Sequence, residues 1–257
     1  EDLVTLAASV ELLHTATLVH DDLIDGALLR RGNSTLNADW SPAATVLTGD
    51  FLFSRSAYLG AELDNPEIVR DFADTLATIV RGEINQLFSR QHISDRESYF
   101  NRIYEKTASL FRLSAKGAAI LSPVEKEIVS VASTYGHQLG MAFQVVDDIL
   151  DFTGEQATVG KPVASDLRHG IITLPAILYQ EMRPEDTSLE KVFALDVQES
   201  QIMNVVRRIQ TSDAIESAYM MANEFVNQAI SALENLPKGK EREVLGKLAE
   251  FVVARQI

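Results

Sequence analysis

Two aspartate groups of the same form stand in this chain, Asp21-Asp22-x-x-Asp25 and Asp147-Asp148-x-x-Asp151. On a helix the outer aspartates of each group lie four apart and project from one face. Carboxylates at that spacing can hold a hard divalent cation such as Mg2+ through oxygen. One such group alone reads equally well as a solvated acidic face. The neighbours of the second argue otherwise: Phe143, Val145, Val146, Ile149, Leu150 and Phe152 surround it with apolar side chains. Carboxylates there are costly to bury unless cations compensate them. Two copies predict a paired, metal-dependent site holding several ions. A polyanion suits such a cation cluster, and a diphosphate fits best. Basic residues recur nearby: Arg30 and Arg31 after the first group, Lys161 after the second, and Lys106 beside the hydroxyl of Thr107. Arginine and lysine are the usual partners of phosphate oxygens.

The elements that position these residues are helices. Apolar periodicity near 3.6 predicts them over about 1–25, 42–62, 66–90, 95–121, 123–152, 174–182, 188–194, 199–210, 213–235 and 240–255. Ser41-Pro42 and Asn65-Pro66 read as N-caps followed by a first-turn proline. Ser94…Glu97, Ser122…Glu125 and Asp213…Glu216 have the spacing of capping boxes, and Gly26 closes the first helix. The longest predicted loop, Thr153–Thr173, follows the second aspartate group directly, where a lid is expected. The whole of 1–257 reads as one all-α domain.

Composition narrows the function classes. A formal net charge of −14 argues against a nucleic-acid partner. The absence of Cys excludes disulfide and thiolate chemistry and fits a cytoplasmic protein. No apolar run reads as long enough to span a bilayer. The chain opens at Glu1 inside a helical pattern without an initiator Met, which predicts further helices upstream.

Taken in order, HTATLVHDDLID…RRG, GDFLF, GEINQL, EKTASLF, FQVVDDILDFTG and GKPVASDLRHGIITLPAI resemble the trans-isoprenyl diphosphate synthases, from about Leu12 to the end of the chain. The resemblance implies the all-α bundle of the class I terpenoid synthases, with a central cavity. It implies Mg2+-dependent ionisation of an allylic diphosphate and head-to-tail alkylation of isopentenyl diphosphate by the resulting cation, the product re-entering as substrate. Carried over by residue, Asp21, Asp25 and Asp147 are the principal metal ligands. Asp22, Asp148 and Asp151 bind directly or through metal-bound water. Arg30, Lys106, Lys161 and Gln144 hold the allylic diphosphate, with Thr107 at the reacting centre, so that Lys106, Thr107 and Gln144 form the catalytic set. His14 and Arg31 contact isopentenyl diphosphate, and Asp166 is a further acceptor for metal-bound water. A homodimer built on the apolar faces of helices 42–62 and 66–90 is implied, with at most transient membrane association through the product. The family's Gly-Gly-Lys-x-x-Arg-Pro motif does not occur in these residues. The Arg90–Ser98 and Leu121–Glu127 junctions are short for the family.

Other readings weigh less. A terpene cyclase carries a mixed second metal motif, whereas here both are DDxxD. His20-Asp21 forms the dipeptide of an HD phosphohydrolase, but the remaining histidines lack ligand spacing. A non-catalytic partner subunit tends to lose its aspartates, and this chain keeps all six. In the family, an aromatic residue four or five positions before the first aspartate stops elongation early. Thr17 and Ala16 occupy those positions and leave the channel open. A long-chain product of hexaprenyl to decaprenyl length, suited to a quinone side chain, is expected. Geranylgeranyl diphosphate is the alternative if Leu13, Val10 or Phe88 forms a deeper floor.

Overall fold

A computed structural model of the protein describes residues 1–30, 32–89, 94–154, 163–193 and 197–255. Among them the elements are α1 (Asp2–Ile24), a hairpin of β1 (Leu29–Arg30) and β2 (Asn33–Ser34), α2 (Leu36–Asp39), α3 (Pro42–Glu62) and α4 (Pro66–Ser89). There follow α5 (Arg96–Ile103), a π-helical turn (Tyr104–Ala108), α6 (Ser109–Ile120), α7 (Lys126–Thr153), α8 (Ser165–Arg168) and α9 (Leu174–Met182). The series ends with α10 (Ser188–Lys191), α11 (Glu199–Gln210), α12 (Ala214–Leu233) and α13 (Lys240–Ala254). The all-α class holds, and the long helices fall where their periodicity places them. Contacts divide the chain into two compact units, residues 1–77 with 113–130, and residues 78–112 with 131–257.

In the first unit α1 packs along α3. Leu6, Ser9, Leu13 and Ala16 form the buried stripe of α1, and α3 answers with small residues, Thr45, Gly49, Ser56 and Gly60. The Ser9 hydroxyl donates to the Ser56 carbonyl at 2.8 Å, and the Ser56 hydroxyl donates to the Ser9 carbonyl at 2.5 Å. Polar side chains in that seam are thereby satisfied. Leu6, Leu63 and Ile68 form a buried cluster against which Val10, Ala118, Ile120 and Leu121 pack. In the second unit α7 is the central element, buried at Tyr135, Leu139, Met141, Val145, Val146, Ile149 and Phe152, and α9 is buried from Leu174 to Tyr179.

Local chemistry explains the boundaries, with corrections. Ser41 accepts from the Ala44 amide, and Asn65 accepts from the Glu67 and Ile68 amides, as their caps predict. The N-cap predicted at Ser94 lies one residue on, at Asp95, which accepts from the Ser98 amide at 2.8 Å. Ser122 donates back to the Ala118 carbonyl and finishes α6 rather than starting α7. Asp213 makes no side-chain cap bond; the neighbouring Ser212 hydroxyl takes the Ala214 amide instead. A capping box does occur at Gln198 and Gln201, built from glutamines that the Ser/Thr/Asp pattern passes over. The predicted helix over 95–121 is interrupted by the π turn. The hairpin at 29–34 was not expected, being too short for strand alternation to register.

One further expectation fails. By length and composition α1 is apolar enough to cross a membrane, the one such helix among the described residues. Its Leu, Val and Ala content also suits a helix that must pack closely on α3, so hydropathy alone does not separate the two roles.

Candidate active site

Gly26 sets the first aspartate group. With φ +65° it lies in the left-handed region that glycine tolerates. The Gly26 amide donates to the Leu23 carbonyl at 3.2 Å and the Ala27 amide to the Asp22 carbonyl at 2.8 Å, a Schellman closure. The chain therefore turns back over the end of α1, and the hairpin delivers Arg30 to Asp22. The guanidinium donates to the carboxylate at 2.8, 3.0 and 3.1 Å, a two-pronged charge-assisted contact. Asp22 is buried, Asp21 is half-buried and Asp25 is exposed. The group thus has one buried carboxylate and two more exposed ones.

The second group divides in the same way. Asp148 is buried at 3% exposure, and its hydrogen-bond partners are neutral. It accepts from the Tyr99 hydroxyl and from the Gln144 amide, each at 2.7 Å. Burial, and after it the carboxylate of Asp166, push the Asp148 carboxyl up to about 8. Burial and the Asp148 charge likewise push the Tyr99 hydroxyl up. Asp147 is more open and lies 2.9 Å from the guanidinium of Arg255. Asp151 accepts from the backbone amides of Ser165 and Asp166 at 3.0 and 3.2 Å, which fastens the start of α8 to the end of α7. Only the middle aspartate of each group is buried.

The π turn carries Lys106 and Thr107. A π turn inserts one residue into an α-helix and is found disproportionately at functional sites. Close packing holds it from two sides. A Cβ on Gly82 would stand 2.8 Å from that of Glu105, and a Cβ on Gly140 would stand 2.6 Å from the Cα of Ala108. Neither position has room for a side chain. The approach at Gly140 lets the Thr107 hydroxyl donate to Gln144 at 2.6 Å. Gln144 thus receives from Thr107 with its oxygen and donates to Asp148 with its nitrogen, so both ends of its amide face protein. Lys106 meets the carboxylate of Glu83 at 2.9 Å. Beyond the turn, an open cavity of about 510 Å³ is walled in part by Arg81, Asn85, Arg102 and Glu105. Its arginines are engaged, Arg81 by Glu105 at 2.7 Å and Arg102 by the Ile172 carbonyl at 2.5 Å.

His14 is exposed on α1. His20 packs against Gly49 of α3, with Nε2 3.1 Å from the Val46 carbonyl, and serves as a packing residue rather than half of a metal dyad. Ala16 is fully buried, Thr17 is half-buried, and Phe88 is 84% exposed, so Phe88 is not a floor within its own chain. Arg31 and Lys161 lie outside the described residues, as do residues 155–162 of the predicted loop after α7. Tyr99, Glu83 and Arg255 are the participants that sequence reasoning did not name. Glu83 stands inside the quoted GEINQL motif, whereas no local pattern marks Tyr99 or Arg255.

Among the described residues no three His, Asp or Glu side chains are gathered into a ready-made metal group. The donor set nevertheless fits a hard cation. It is all oxygen, the ligand type a hard divalent cation takes.

The polyprenyl synthetase family model matches residues 1–210. The chain belongs to the polyprenyl synthetase family. It is a prenyltransferase. It is 37% identical over 251 residues to the heptaprenyl diphosphate synthase component 2 of Geobacillus stearothermophilus, a match covering 97% of this chain and 78% of the relative. Its structure superposes on the heptaprenyl diphosphate synthase of Staphylococcus aureus with a TM-score of 0.96 at 32% identity, covering 99% of this chain and 80% of the other. A polyprenyl synthase from Caulobacter crescentus, solved with calcium and isoprenyl diphosphate, superposes at 0.92 with 34% identity, covering 98% and 78%. In the family member, Asp22 and Asp148 are the anchored carboxylates, and Asp21, Asp25 and Asp147 the more accessible ones.

Proposed function

We propose that this prenyltransferase is an all-trans polyprenyl diphosphate synthase of long-chain type, extending an allylic diphosphate with isopentenyl diphosphate in the presence of Mg2+. The observation that carries the reading is the hydrogen-bonded line Thr107–Gln144–Asp148–Tyr99, which ties the π turn to the second aspartate group. The names of the heptaprenyl relatives support the product class, and calcium in the Caulobacter neighbour supports a divalent cation.

Divalent cations, when bound, would neutralise diphosphate charge and supply Lewis acidity toward the leaving oxygen. Asp21 and Asp25 in the first group and Asp147 in the second are the proposed ligands, with Asp151 contributing in the second group. Arg30 fixes Asp22 within the first group, and Tyr99 with Gln144 fixes Asp148 within the second. Arg30, Lys106 and Lys161 supply positive charge to the allylic diphosphate, and Arg31 and His14 to that of isopentenyl diphosphate. The allylic carbon–oxygen bond breaks, and its electron pair leaves with the diphosphate. The double bond of isopentenyl diphosphate closes on the allylic cation, and loss of a proton gives a chain one isoprene unit longer. The small side chains at Ala16 and Thr17 support the long-chain reading. Incorporation of labelled isopentenyl diphosphate onto farnesyl diphosphate, with and without EDTA, tests this reading through product chromatography. A metal-independent reaction, or a product stopping at geranylgeranyl length, counts against it.

A homodimer belongs to the same proposal. Leu47, Phe51 and Tyr58 are exposed along one side of α3 at 67%, 62% and 51%, an apolar stripe that a second copy would cover. The component 2 designation of the Geobacillus relative favours a heteromeric assembly as the second reading. We place the enzyme in the cytoplasm, with its long product able to hold it transiently at a membrane.

A further inference from the structure

We infer that Arg255 is a built-in occupant of the cation position at Asp147, and that loading a divalent ion releases the last turn of α13. This rests on the reading of Asp147 as a metal ligand. Arg255 caps α13, and its guanidinium has three separate attachments to α7. It lies 2.9 Å from Asp147 Oδ1, donates to the Phe143 carbonyl at 3.2 Å, and stacks over the Phe143 ring at 4.2 Å. Its Nε also donates to the Val252 carbonyl at 3.2 Å, so the same side chain closes its own helix. The side chain is 19% exposed, against 38% for Asp147.

A guanidinium always carries its charge and cannot deprotonate to make way. A divalent ion bound through Asp147 would stand within a few ångströms of that charge, and the two repel strongly there. Ion and guanidinium are therefore alternatives at this carboxylate. The rest of α13 has its own anchor, because the Tyr135 hydroxyl donates to the Leu245 carbonyl at 2.9 Å. Displacing Arg255 thus frees only the end of the helix, beyond Val252. Metal loading and the order of this segment become two sides of one equilibrium.

The test uses Mn2+ as the probe, its binding read from loss of the free-ion paramagnetic signal, with amide exchange followed along α13. We expect Arg255→Gln to bind Mn2+ about three- to tenfold more tightly than the unmodified protein. Arg255→Lys, which keeps the charge but not the planar stack, should fall between them. Asp147→Asn should abolish the difference. In the unmodified protein, Mn2+ should speed exchange of the last-turn amides and leave those near Leu245 unchanged. Equal Mn2+ affinity in the unmodified protein and Arg255→Gln, or last-turn exchange indifferent to the ion, overturns the inference while leaving the metal site standing. Failure of both proteins to bind Mn2+ overturns the metal site as well.

Discussion

The hydroxyl of Thr107 reaches the side-chain oxygen of Gln144 at 2.6 Å, joining the π turn to α7 four residues before Asp148. The opposite end of the same amide holds Asp148 at 2.7 Å. With Tyr99 on the other carboxylate oxygen, the buried aspartate is fixed from both sides without a formal positive charge. Gln144 orients the buried carboxylate, whereas Asp147, on the more open side of the helix, meets the guanidinium of Arg255.

Asp147→Ala should lower turnover about 10²–10³-fold, the range seen when one preorganised electrostatic contact is removed from a reacting centre. Helical circular dichroism should be unchanged, because Asp147 is not a core residue. Steady-state incorporation of isopentenyl diphosphate at saturating Mg2+ measures it, and near-normal turnover would exclude a role for the second group.

Tyr99→Phe removes one of the two neutral donors to Asp148 and leaves its packing volume intact. Leaving a buried carboxyl oxygen without its donor should cost about 1–3 kcal/mol of stability. The apparent affinity for the metal should change together with kcat, because the mutation acts through a carboxylate of the metal group. Thermal unfolding and a Mg2+ titration of initial rates give the two readouts.

Ala16→Phe should shorten the product. Ala16 is fully buried beside the small-residue seam of α3, so the phenyl ring must also be accommodated by overpacking at about 1–3 kcal/mol. Thr17→Phe, at a half-buried position, is the milder companion. Product chromatography from farnesyl diphosphate decides, and an unchanged length distribution in both variants would place the ruler elsewhere.

Asp186 reports on stability against pH. Its carboxylate accepts from the Tyr179 hydroxyl at 2.5 Å and from Arg208 at 2.9 Å. The Tyr179 bond first, then Ser188 and Arg208, hold its carboxyl well below the ordinary carboxylate range. A depressed folded-state value means the contribution is fully present above the unfolded value, near 4. It is lost as pH falls below that toward the folded value. Asp186→Asn should therefore lower Tm at neutral pH, by the equivalent of about 1–3 kcal/mol, and the gap to the unmodified protein should narrow below about pH 4.

Phe51→Glu tests assembly. A charge in the middle of the exposed α3 stripe should yield a monomer by light scattering where the unmodified chain gives a dimer, with helical content preserved. A monomeric unmodified protein would instead favour the heteromeric reading.

The all-α class, the long helices and both aspartate groups were legible in the residues themselves, because helical periodicity and i, i+4 spacing are local properties of a chain. So were the caps at Ser41 and Asn65 and the stop at Gly26, each decided within four residues. Which aspartate of each group is buried was not legible. That depends on Arg30 returning over a Schellman turn to Asp22, and on Tyr99, 49 residues from Asp148, arriving through the packing of α5 against the rest of its unit. The π turn was hidden for a similar reason: it arises where Gly82 and Gly140 let neighbouring helices come too close for a Cβ. Arg255 meets Asp147 only because α13 packs against α7. Residue type and spacing specify which groups can do the chemistry. Which of them is buried and which stays accessible is a matter of contacts between distant segments, and only the packed helices determine those.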